Sequence, residues 1–92
     1  MPRWPEQLVA YRRSPEFTES TIPGGLLTAH ATKPGVWAKL HVLAGSLRFR
    51  DLEGGEDLIL TEGVHSRIFP AATHEVEPCG AVRFFVEFYK PR

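Results

Sequence analysis

The chain has 92 residues, eleven basic and eleven acidic, with a single cysteine, so it bounds one domain with one modest core and no second catalytic unit. Balanced charge, with no basic run longer than Arg12-Arg13, leaves no footprint for a phosphate backbone, and no nucleic-acid partner is expected. No apolar run approaches the roughly 18 residues of a membrane span, the first residues lack a hydrophobic signal region, and Cys79 has no internal partner, so the expectation is a cytoplasmic protein without a membrane partner.

In chain order, residues 1–7 carry Pro2 and Pro5 and read as an irregular arm held by Trp4. Leu8 to Arg12 fits a short strand, ended by Ser14-Pro15. Ser14 as N-cap and Pro15 at the first helical position allow one brief helical turn before Pro23. Gly24-Gly25 leads into a strand over Leu26–His30, and Lys33-Pro34-Gly35 turns the chain. From Gly35 to Phe49, two apolar runs flank Ala44-Gly45, and the pattern predicts a β-hairpin reversing at that glycine. In its first arm Ala38, Leu40 and Val42 share one face and Trp37, Lys39 and His41 the other, because strand side chains alternate with period two. In its second arm Leu47 and Phe49 alternate with Ser46, Arg48 and Arg50.

The acidic stretch Asp51 to Asp57, with Gly54-Gly55 inside it, marks an exposed loop. Leu58–Leu60 and Ser66–Phe69 read as short strands, and Pro70 to Thr73 as a connector delivering His74 to the next strand. Pro78-Cys79-Gly80 predicts another reversal, and the last segment alternates Val82, Phe84, Val86 and Phe88 against Arg83, Phe85, Glu87 and Tyr89. No ten consecutive residues hold a helical period. Seven to nine short strands with frequent turn signals predict an all-β sandwich or barrel with little or no helix.

Of the four histidines, His30 closes a strand before a turn and His74 opens one after a proline-containing connector. Strand ends at a barrel mouth are where a small all-β domain can hold polar groups near solvent. His41 shares a face with Trp37 and Lys39 and reads as an outward-facing strand residue, His65 as a solvated turn residue, and Cys79 as a tolerated turn cysteine. Glu87, between Val86 and Phe88, needs a partner such as Arg83 or a metal if it faces the interior, and is otherwise a surface charge.

The motifs Tyr11-Arg-Arg-Ser-Pro-Glu-Phe-Thr, His30-Ala-Thr-Lys-Pro-Gly-Val-Trp, Leu43-Ala-Gly-Ser-Leu-Arg-Phe and His74-Glu-Val-Glu77 resemble the cupin-like domain of small stand-alone bacterial proteins and of the N terminus of TehB-type tellurite-resistance methyltransferases. The resemblance runs from about Val9 to Tyr89. It implies a single cupin-type jelly-roll barrel, a double-stranded β-helix, over residues 1–92. No glycine-rich nucleotide fingerprint is present, so methyl transfer is not carried over. Metal-binding cupins supply His-x-His, a glutamate and a later histidine. His30 matches the first ligand and His74 the last, while Thr32 and Ala38 stand at the other two places.

The metal candidates implied by the resemblance are thus His30 and His74, with Glu77, Glu87 or His41 to complete a set for one divalent ion (Zn, Fe, Ni or Mn). Glu77 follows His74 at an odd spacing, which sends the two to opposite strand faces unless a bulge intervenes. Without a metal, His30, His74 and Glu87 remain the ligand-binding candidates, and the imidazoles can donate to an anion. Three functions follow as expectations: a binding module for a small anionic or metal-linked ligand, tied to tellurite or oxyanion stress; a minimal metal-dependent isomerase or dioxygenase; or a structural dimerisation module. A homodimer through an edge strand or the N-terminal arm is expected because a small domain gains core by pairing.

Overall fold

The computed structural model describes residues 4, 7–27, 30–31, 35–70 and 72–91, and at position 30 the backbone alone. The expectations for Thr32, for the Lys33-Pro34 turn and for most of the N-terminal arm lie outside these residues. The described chain is all-β: seven strands, every pair antiparallel, join in one sheet, and the only helical turn is a 3-10 turn at Gly24–Leu26. The strands are β1 (Leu8–Arg13), β2 (Phe17–Thr18), β3 (His30–Ala31), β4 (Trp37–Asp51), β5 (Asp57–Thr61), β6 (His65–Ile68) and β7 (Thr73–Pro91). Among the described residues no helix is long and apolar enough to cross a membrane.

Two long strands organise the sheet. β4 pairs with β7 from Trp37↔Tyr89 to Asp51↔His74; β6 and β5 line the other edge of β4, and β1, β2 and β3 the other edge of β7. The expected hairpin over Gly35–Phe49 is therefore corrected to one continuous strand. Gly45 does take a positive φ, 79°, but it bends the strand at a bulge instead of reversing it. The β4–β7 register shifts between Val42 and Ala44 and again between Gly45 and Leu47. That flips the parity, so Ala38, Leu40 and Val42 before the bulge and Leu47 and Phe49 after it all reach the same buried face.

The reversal expected at Pro78-Cys79-Gly80 is corrected in the same way. Gly80 has φ 80°, yet β7 runs on through it, bulging opposite the bend in β4. A β-carbon at Gly45 would overlap the carbonyl oxygen of Ala81 on β7, so glycine is required there for close backbone approach as well as for its dihedral angle. Two other local readings change. The segment after Ser14-Pro15 pairs as β2, Phe17↔Phe84 and Thr18↔Arg83, in place of a helical turn, and Leu26 ends the 3-10 turn instead of starting a strand.

The core is one cluster on one face: Ala38, Leu40, Val42, Leu47, Phe49, Leu60, Ile68, Val76, Val82, Phe84 and Val86, with Phe17, Ile22, Leu26 and Phe88 packed at its margin. Alternation dictates it along the long strands, where β4 and β7 send their inward sets to the cluster and the intervening residues outward.

Candidate functional site

A cavity of about 270 Å³ opens against the core face. β7 forms its floor with His74, Val76, Val86 and Phe88; Leu40 of β4 and Ile68 of β6 form one wall; and Ser14, Phe17, Pro23, Gly25 and Leu26 form the other. The second wall exists because Ser14 staples the chain after β1 to β7. Its N–H donates to the Val86 carbonyl at 2.8 Å, and its Oγ accepts from the Val86 N–H at 2.9 Å while donating to the Pro15 carbonyl at 2.9 Å.

His74 is 3% exposed, so it is a buried polar group that must be hydrogen-bonded. Its Nδ1 lies 3.2 Å from the Ala72 carbonyl, which can only accept, so that nitrogen carries the proton. The ring stacks on Phe49 with centroids 5.7 Å apart and planes 19° apart. His74 is the register partner of His30 on β3 and of Asp51 on β4, so the three form a row across the sheet. Asp51 is occupied in its own loop, where Oδ1 accepts from the N–H groups of Glu53 and Gly54 at 3.0 and 2.8 Å.

The two carboxylates proposed alongside His74 lie elsewhere. Glu77, three residues on, is exposed on the opposite face, 3.9 Å from Arg48, as the odd spacing requires. Glu87 also faces outward, where it anchors a separate cluster. His41 Nε2 lies 3.2 Å from Glu87 Oε1, the Tyr89 hydroxyl donates to the same oxygen at 2.5 Å, and Arg13 Nη2 lies 3.6 Å from Oε2. The hydrogen bond from Tyr89, helped by the charges of His41 and Arg13, holds the Glu87 carboxyl below its usual range against the opposing effect of burial. Burial, then Glu87, pushes the Tyr89 phenol up to about 12.

Arg83, the partner considered for Glu87, pairs with Glu16 at 3.4 Å. His41, expected on the outward face, stacks there on Phe85 at 4.8 Å and meets His65 at 5.5 Å. The same face carries an aromatic group in which Trp4 contacts Trp37, Phe69 and Tyr89 edge-on at 5.5 to 6.0 Å, with Lys39 over both Trp4 and Tyr89 at 5.3 Å.

Among the described residues no group of three His, Cys, Asp or Glu stands close enough to hold a metal ion. The His30 side chain lies outside these residues. Sequence reasoning missed Ser14 as a wall of the cavity and the His41–Glu87–Tyr89 cluster. Parity in β4 and β7 pointed to the second, since His41, Glu87 and Tyr89 all fall opposite the apolar positions, but which outward residues become neighbours depends on register.

A family model described as the TehB-like domain matches residues 12–86. A probable S-adenosyl-L-methionine-dependent methyltransferase TehB of Haemophilus influenzae strain KW20 is 36% identical over 76 residues, which is 77% of this chain and 27% of that protein. The crystal structure of TehB from Haemophilus influenzae superposes with a TM-score of 0.83 at 33% identity, over 94% of this chain and 32% of that one. A protein from Escherichia coli K12 superposes with a TM-score of 0.88 over 100% of this chain and 99% of its own; at 20% identity that likeness is one of fold. The chain spans about a quarter of the length of the methyltransferases it matches. With the family match covering all of β4 and most of β7, this chain belongs to the TehB-like domain family.

Proposed function

We propose that this chain is a cupin-like binding module, a sheet curled toward a small jelly-roll barrel, whose cavity takes up a small molecule beside His30 and His74, in a role tied to tellurite or oxyanion stress. One observation carries the reading: His74, almost fully buried, lines the cavity at the ladder where His30 is its register partner. A preformed concavity with one or two polar groups at one end is the general form of a small-molecule site.

Titration of the purified protein with a panel of small carboxylates, inorganic oxyanions and neutral organic molecules, followed by NMR and thermal shift, tests it. Binding of a panel member that shifts the resonances of Leu40, Val76 and Val86, and that His74→Leu alters tenfold or more, supports the site. A panel in which nothing moves those resonances removes it. Elemental analysis of protein purified without a metal-affinity tag is expected to give well under one equivalent of metal; a full equivalent lost in His74→Ala would favour the metal-dependent enzyme instead.

The module is further proposed to act as a homodimer through β5. That strand ends the sheet with Leu58 39% and Ile59 57% exposed, and its register with β4 is unbroken. The opposite edge, β1, is blunted by Arg12, Arg13 and a bulge. Light scattering on the wild type and on Ile59→Lys, expected to be monomeric, checks this.

A further inference from the structure

We infer that the cavity selects an uncharged, mostly apolar molecule of about one or two rings, and not a bare oxyanion. The inference rests on the binding-module reading and deepens it. Apart from Ser14 and His74, every described lining residue is apolar, and none is Lys or Arg. The Ser14 hydroxyl has given its proton to the Pro15 carbonyl and accepts from the Val86 N–H. The Nδ1 proton of His74 is directed at the Ala72 carbonyl. A fully charged oxyanion entering this space would leave its water for described walls that carry no lysine or arginine, a loss that one or two hydrogen bonds do not restore.

Among the described residues the cations lie outside this lining. Lys39 and Arg67 stack on Trp4, Arg13 stacks on Phe85, and Arg48 pairs with Asp57. Arg12 of β1, exposed, stacks over Phe88 at 5.7 Å but is outside the lining set. Size narrows the class further. A dry apolar cavity of about 150 Å³ accommodates benzene, whereas pockets for drug-sized ligands start at about 300 Å³. At about 270 Å³ the cavity falls between them. The aromatic faces of Phe17 and Phe88 suit a flat ring.

The test uses wild-type protein and four probes: toluene, indole, sodium tellurite and sodium sulfate. The expected result is a Tm rise of about 4 °C or more at saturating toluene or indole, with NMR shifts centred on Leu40, Val76 and Val86, and none from either salt at those residues. Ile68→Phe, which narrows the cavity, is expected to weaken indole at least tenfold and toluene less. Tellurite or sulfate shifting the cavity resonances, with or without toluene, overturns the ligand class while keeping the site. None of the four probes reaching those residues overturns the class, and the site itself falls only if the wider panel also fails there.

Discussion

His30 and His74, far apart in sequence, are direct partners in the β3–β7 ladder, and His74 is in turn paired with Asp51 on β4. The row crosses three strands, and His74 at its centre lines the cavity. His74 is held there by packing as much as by hydrogen bonding, since its ring stacks on Phe49 and its Nδ1–H meets the Ala72 carbonyl. Replacing it with alanine removes a buried ring and leaves that carbonyl without its partner, and is expected to destabilise the fold by about 2–3 kcal/mol. Urea denaturation measures this; a change under about 0.5 kcal/mol, the level of an ordinary surface substitution, would mean that the ring is not packed as described.

The bend shared by β4 and β7 gives a second prediction. Gly45 and Gly55 have the same φ, 79°, but a β-carbon at Gly45 would strike the backbone of Ala81, whereas nothing lies within 4 Å at Gly55. Gly55→Ala is expected to cost about 1 kcal/mol, from the left-handed backbone alone. Gly45→Ala adds a clash with backbone that cannot move cheaply and is expected to cost about 3 kcal/mol or more. Thermal unfolding of the two variants side by side separates the effects, and equal losses would deny the close approach.

The outward cluster makes stability fall toward acid in two steps. Glu87 has its carboxyl held below the ordinary value of about 4.5, so its contribution is complete above that pH and is lost as pH falls through the lower, folded value. His65 is depressed from about 6.5 by burial and by Lys39, His41 and Arg67, so the folded state resists a proton that the unfolded chain accepts. Stability therefore starts to decline as pH drops below about 6.5 and declines again below about 4.5. His65→Gln is expected to remove the upper step and Tyr89→Phe to shrink the lower one, read from denaturation midpoints between pH 3 and 8.

At the alkaline end, Tyr89 ionises late, near 12, because burial and the neighbouring Glu87 both oppose the phenolate. Glu87→Gln removes the charge and is expected to bring the Tyr89 titration down toward the ordinary value of about 10, followed by tyrosinate absorbance. An unchanged titration in Glu87→Gln would leave burial as the sole cause.

Trp4 ties the segment before β1 to the outward face through three edge-on ring contacts, with Lys39 and Arg67 also stacked on it. Each aromatic pair contributes about 0.5–1.5 kcal/mol beyond buried area, so Trp4→Ala is expected to lower stability by about 2–3 kcal/mol. The emission of Trp37, left more exposed, is expected to shift to the red; an unshifted spectrum would mean that Trp4 does not cover it.

The sequence by itself determined the all-β class, the alternating faces of the long strands, the outward aim of His41 and the separation of Glu77 from His74, because each follows from a period of two along a local stretch of chain. It did not determine whether Gly45 and Gly80 turn the chain back or merely kink it. A positive φ serves a hairpin and a bulge equally, and only the pairing of β4 with β7 along their whole lengths chose the bulge. The same pairing decided that Glu87 meets His41 and Tyr89 instead of His74. Neighbours across a sheet are fixed by register and by the bulges that shift it, and those belong to two strands at once.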